Sequence, residues 1–500
     1  MTGGELRPMV ASRADPPSPL RNRLFLASRA NGDFWPIVIG GALVVATAAG
    51  FWAFATGVTP DIWVPVLIWT GLVVVSVPLC FRLARDGSGA FDRRLLVLLL
   101  IGFSLKMVFV FIRYAVSEYA YGGETDAGQY HEAGRVFYDN VKHGSWSLEG
   151  SNILAFPQET RMLGYYTGIT YLIFGTTYMG TYMVFNWLSW IGILLVFQAF
   201  RVAHPEAPPY TAAKLIFFLP TLLYWPSALG KDAAMVFAIG ITVYGIARLL
   251  TQRRPVWGAV CAAFGGYLVA MVRPHLLALI VIGVAASLLA RSRTGSSTRA
   301  VIALRIAIVV LLVPGLFFTL GRIDDAFGES DSGDYSLTST LESTNERTAI
   351  GGSAFETQPV RTPLDLPQAT FSVIYRPFLF EARSLPVGVS ALEGTALLLL
   401  TLASLTWLWR IVPEAGRHPF NAFCAAYVIA FVFAFSNVAN AGILARQRVQ
   451  MFPVLMVLVA AAHDRARVVR ERAERPLADP SGDAPEAPAP FVRTDATVGS

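Results

Sequence analysis

Charge is what this sequence has least of. Asp, Glu, Lys and Arg make up 15% of its 500 residues and hydrophobic residues 54%, and the mean hydropathy is +0.52. That balance excludes a soluble globular chain and points to an all-α, polytopic integral membrane protein. Cysteine is nearly missing too. Cys80, Cys261 and Cys424 all stand in apolar runs, which excludes a disulfide framework and a cysteine metal site. The sequence has no glycine-rich phosphate loop ending in Lys-Ser/Thr and no dinucleotide fingerprint, so a soluble nucleotide-sugar donor has no support. The net charge of +6 is spread over short loops, which reads as membrane orientation and not as a nucleic-acid partner. No half of the chain repeats the other, so an inverted-repeat transporter finds no support.

What is present is a series of apolar segments. Spans are expected at about 35–56, 62–81, 94–116, 180–200, 210–228, 233–251, 256–272, 275–291, 300–320, 388–410, 419–437 and 441–462, about twelve in all. The first is long enough to remain in the membrane and does not read as a cleavable signal. The segment 163–177 is expected to be non-spanning or re-entrant. Counting it as a span would put Arg253, Arg254, Arg291, Arg293 and Arg299 outside, against the positive-inside rule. The same rule places both tails, 1–34 and 463–500, in the cytoplasm. Residues 35–93 then form two accessory spans and 94–462 the main transmembrane domain, with external loops at 117–162 and 321–386. Arg- and Ala-rich tails fit a bacterial inner membrane.

The polar stretch that leaves the third span reads Gly122-Gly123-Glu124-Thr125-Asp126-Ala127-Gly128-Gln129-Tyr130-His131-Glu132. Tyr130, Ala133, Phe137, Tyr138 and Val141 recur at helical spacing, which predicts an external interfacial helix beginning at Asp126. Asp126 can cap that helix, with Gln129 three residues on. As a carboxylate at a membrane surface it can also accept a proton from a hydroxyl nucleophile. Glu124, Tyr130 and His131 are its candidate supports.

Other ionisable groups fall at the external ends of the expected spans. Lys231 and Asp232 follow Trp225-Pro226-Ser227-Ala228-Leu229-Gly230; Arg273 and His275 flank Pro274; Arg376 and Glu381 lie where the long loop returns; Arg446 and Arg448 enter the last span. Each has a plain structural use, by snorkelling, capping or pairing locally. Together, several cations around one carboxylate would suit a phosphate leaving group beside a base. Lys106 is separate, near the middle of the third span, where it needs a partner; Glu393 is one candidate.

With those residues in view, the chain resembles the GT-C superfamily of polytopic glycosyltransferases. The resemblance rests on Asp126 to His131, on Tyr171-Leu172-Ile173-Phe174-Gly175, and on Arg446-Gln447-Arg448 through Pro453. It covers the layout of residues 94–462. It implies a GT-C-like fold, a polyprenyl-phosphate sugar as donor substrate, and a glycan, lipid or protein of the cell envelope as acceptor. It further implies Asp126 as the catalytic carboxylate of an inverting transfer, with Lys231, Arg273, Arg446 and Arg448 binding the donor phosphate. The motif lacks the Asp-Glu or Asp-Asp pair of some branches, which leaves a divalent cation possible and unassigned. Two spans before residue 94 also depart from the simplest layout. A polymerase acting on lipid-diphosphate-linked repeat units is the alternative enzyme; a transporter or flippase is the alternative from another class.

Overall fold

The computed structural model describes residues 63–85, 90–120, 122, 125–290, 360, 362–382, 385–409 and 418–474. Glu124, the N-terminal tail, residues 475–500 of the C-terminal tail and the expected spans at 35–56 and 300–320 lie outside them; residues 463–474, expected as tail, continue the last helix. No strand forms among the described residues; an isolated bridge joins Arg85 and Phe91.

The helices are, in order, α1 (Trp63–Leu83), α2 (Arg93–Ala115, continued by a π turn over Val116–Ala120), α3 (Asp126–Lys142), α4 (Gln158–Phe174), α5 (Tyr178–Ala203), α6 (Pro209–Phe217), α7 (Pro220–Tyr224) and α8 (Lys231–Leu250). After them come α9 (Pro255–Val272), α10 (Pro274–Ala290), α11 (Leu366–Tyr375), α12 (Leu385–Leu408), α13 (Pro419–Phe435), α14 (Ala441–Gln447) and α15 (Phe452–Glu474).

Six helices among the described residues are long and apolar enough to cross a membrane: Trp63–Leu83, Arg93–Tyr119, Tyr178–Ala203, Lys231–Leu250, Pro255–Val272 and Val387–Thr406. The pair Ala441–Gln450 and Phe452–His463, bent by 63°, makes a seventh if it is one broken span. The chain is therefore an all-helical, polytopic membrane protein across its described residues. α10 and α13 are apolar but shorter, at 17 residues each.

The expected span at 210–228 is a correction. Pro220 has no N–H to continue a ladder, so the chain stops at Phe218 and restarts as the five-residue α7. A second correction concerns Lys106 and Glu393, which do not pair. Lys106 Nζ donates to Leu222 O and Ser227 Oγ, both at 2.9 Å. Glu393 Oε2 accepts from Thr221 N and Thr221 Oγ1, also at 2.9 Å. Of the segment 163–177, residues 163–174 fall in α4, a helix packed along α3, and Gly175 and Thr177 cap the helices on either side.

α8 lies between α5 and α9 and packs on both. Glycine sets the first contact: a Cβ on Gly240 would sit 2.5 Å from Gly192 Cα, so the backbones of α5 and α8 meet directly. α3 lies on α4 with Tyr130, Ala133 and Phe137 buried, the stripe its spacing predicts, and Gly134 leaves room for Thr167. This packing brings the start of α3, the C-terminal end of α2, the start of α8 and α14 to one end of the bundle.

Candidate functional site

Helix α3 begins one residue earlier in its cap than the sequence suggests. Thr125 is the N-cap, with its Oγ1 2.9 Å from Ser117 Oγ, and it makes no side-chain cap bond. Asp126 is thus the first helical residue, and its carboxylate reaches across the fold instead of capping. Arg446 Nη1 and Nη2 both donate to Asp126 Oδ2 at 3.3 Å.

Arg446 has a second carboxylate. Its Nε donates to Asp232 Oδ2 at 2.5 Å. Asp232 is the second residue of α8, where the helix N-terminus favours negative charge. It is buried, and Arg273 Nη2 donates to its other oxygen at 3.0 Å. Arg273 Nη1 then donates to Gln447 Oε1 at 2.7 Å, which also accepts from Gln450 Nε2 at 2.8 Å. Two carboxylates and two guanidinium groups balance in one network, the arrangement a buried carboxylate requires.

The network borders a cleft of about 260 Å³ lined by, among others, Arg113, Ser117, Asp126, Tyr182, Trp225, Asp232 and Arg446. Arg113 comes from the last turn of α2. Its Nη1 donates to Tyr224 OH at 3.1 Å, and the guanidinium lies 4.7 Å from the Tyr224 ring centre and 5.4 Å from that of Trp225. Its Nε is buried with no hydrogen-bond partner among the described residues.

The expected phosphate ligands therefore divide. Arg446 lines the cleft, and Arg273 stands behind it on Asp232. Lys231 Nζ donates to Thr160 Oγ1 at 2.8 Å. Arg448 is buried and directs its Nε to Val373 O at 2.6 Å; neither of these two lines the cleft. Arg376 pairs with Glu381 at 2.7 Å on the returning segment, and Glu381 Oε2 also accepts from Phe378 N at 2.8 Å. The His275 ring lies 6.1 Å from that of Phe435 at the start of α10.

Tyr130 is buried beside the network, and burial raises its hydroxyl above the ordinary phenol range. His131 faces α4 and α5: its Nδ1 hydrogen-bonds the Tyr171 hydroxyl, and its ring lies 4.6 Å from that of Tyr178. Burial, reinforced by Arg135, lowers the imidazole from 6.5 to about 4. No group of three or more His, Cys, Asp or Glu placed to hold a metal occurs among the described residues.

Arg113 is the charged cleft residue that sequence reasoning missed. The available signal was its place in the last turn of a span, four residues before Ser117 and on the side where Asp126 follows. Comparison with protein-family models, with curated proteins and with solved structures finds no match to this chain.

Proposed function

We propose that the chain is a membrane glycosyltransferase of GT-C type that moves a sugar from a polyprenyl-phosphate donor to a hydroxyl acceptor of the cell envelope. The observation that carries this reading is the cleft in which a half-exposed carboxylate, Asp126, and two guanidinium groups, Arg113 and Arg446, converge at one end of an apolar bundle. A carboxylate there accepts the proton of the acceptor hydroxyl. The acceptor oxygen then bonds to the anomeric carbon as the bond from that carbon to the phosphate oxygen breaks. Its electron pair leaves with the phosphate, whose charge the guanidinium groups stabilise. The products are the glycosylated acceptor and the lipid phosphate; Asp126 returns its proton to solvent.

Donor lipid, open end of the cleft and network all belong, in this reading, to the external leaflet. The test is sugar transfer in membrane vesicles given labelled polyprenyl-phosphate sugars, with wild type and Asp126→Asn at matched expression. The variant is expected to lose about 10²-fold or more of the transfer rate with its thermal unfolding unchanged. Equal rates would remove Asp126 as the base, and no transfer by wild type from any such donor would sink the reading.

A further inference from the structure

We infer that Arg446 is a shared cation that exchanges Asp126 for the phosphate of an entering ligand, so that phosphate binding is what frees the carboxylate. This deepens the reading above and rests on it. The two edges of the guanidinium are held unequally. The Nε edge is anchored 2.5 Å from Asp232, a side chain 7% exposed and fixed in turn by Arg273. The fork edge meets Asp126, a side chain 55% exposed, at 3.3 Å through both Nη atoms. Charge-assisted N–H···O bonds run shorter, at roughly 2.7–2.9 Å, so the fork edge is the loose one.

A phosphate group matches that fork with two parallel hydrogen bonds. Arg113, on the same cleft, brings a second guanidinium to its wall. Asp126 and a phosphate are both anions and cannot share one fork edge. Phosphate binding and the Asp126–Arg446 contact therefore exclude each other and are coupled through Arg446. The consequence is an order of events. Phosphate enters first, Arg446 swings its fork to it while Nε keeps Asp232, and only then is Asp126 free to receive a hydroxyl proton.

The exchange predicts that removing the competitor strengthens phosphate binding. The full chain in phosphatidylcholine nanodiscs is titrated with geranylgeranyl monophosphate, with geranylgeraniol and with inorganic phosphate, for wild type, Asp126→Asn, Arg446→Lys and the double variant. Asp126→Asn is expected to bind the prenyl phosphate about threefold tighter or more, the worth of a partly exposed ion pair, and the alcohol no differently. Arg446→Lys, which keeps a cation for Asp232 but has no fork, is expected to bind about tenfold weaker. In that background Asp126→Asn is expected to change nothing further. The same tightening with inorganic phosphate alone supports the exchange and shows that the headgroup suffices without the lipid. Prenyl phosphate bound equally or more weakly by Asp126→Asn overturns the exchange while leaving the transferase reading intact. No binding of either phosphate by wild type overturns the exchange together with the phosphate site it needs.

Discussion

Buried ionisable side chains in this protein are stable only in company, and the company differs by residue. Asp232 is held by two guanidinium groups, so neither Arg446 nor Arg273 can lose it without leaving a charge uncompensated; removing one partner of such a pair typically costs about 3–5 kcal/mol. His131 is handled oppositely, as a neutral ring among tyrosines. Folding lowers its affinity for protons from 6.5 to about 4, so between those values the unfolded chain binds more protons than the folded one. Its contribution to stability is then complete above about pH 6.5 and is lost as the pH falls toward about 4. Thermal unfolding of the solubilised protein at a series of pH values checks this. Wild type is expected to lose more of its Tm than His131→Asn on going from about pH 7 to about pH 4.5, the interval in which the histidine charges; parallel curves would show that the ring is not held neutral.

At the scale of elements, the broken segment α6–α7 explains two charged residues that otherwise look misplaced in apolar helices. A five-residue helix inside a bundle has orphan groups at both ends and no water to satisfy them. Thr221 N, in its first turn, is met by Glu393. Leu222 O would look four residues ahead for a donor, but position 226 is proline, and Lys106 supplies the N–H instead. Lys106 also holds Ser227, and Ser189 Oγ donates to Pro226 O at 2.7 Å, which fixes the turn that carries Trp225 and Leu229 into the cleft. Lys106→Met leaves Leu222 O buried and unpaired, at a cost of about 1–3 kcal/mol. The expected outcome is a lower midpoint in denaturant and a raised KM for transfer with kcat less affected, because the wall of the cleft loosens while Asp126 and Arg446 stay. An unchanged midpoint would mean that the break is held by Glu393 and Ser189 alone. The sequence displays Lys106 as an anomaly and Pro226 as a breaker, while the span expected at 210–228 runs through Pro220. It does not show that they are one device, since Lys106 and Leu222 stand 116 residues apart.

For the whole molecule, what was legible in the sequence was whatever a short stretch encodes by itself: long apolar helices, the buried stripe of α3, the break at Pro226, and Asp126 as the start of α3, whereas the break at Pro220 was read through as part of one span. Partner choice was not, because the network is assembled from α3, α8, the α9–α10 junction and α14, and nothing in the local pattern tells Arg446, which joins it, from Arg448, which turns to Val373. Sidedness is the property of the whole that sequence and structure jointly predict. The cleft lies at the start of α8, and the 20-residue length of that helix separates its two ends by about 30 Å. Among the described residues, the connections that carry Arg85 and Arg93 and, after α8, Arg253 and Arg254 lie at the other end, where the positive-inside rule would put the cytoplasm. Ser145 lies in the exposed connection between α3 and α4, and Glu206 in the exposed connection between α5 and α6. All three native cysteines are buried, so background labelling is low and single introduced thiols can be read directly. In intact cells a membrane-impermeant maleimide is expected to label Ser145→Cys and to spare Glu206→Cys until the membrane is permeabilised. The reverse pattern would place the cleft on the cytoplasmic side, where a soluble donor could reach it, and would remove the reason for a lipid-linked one.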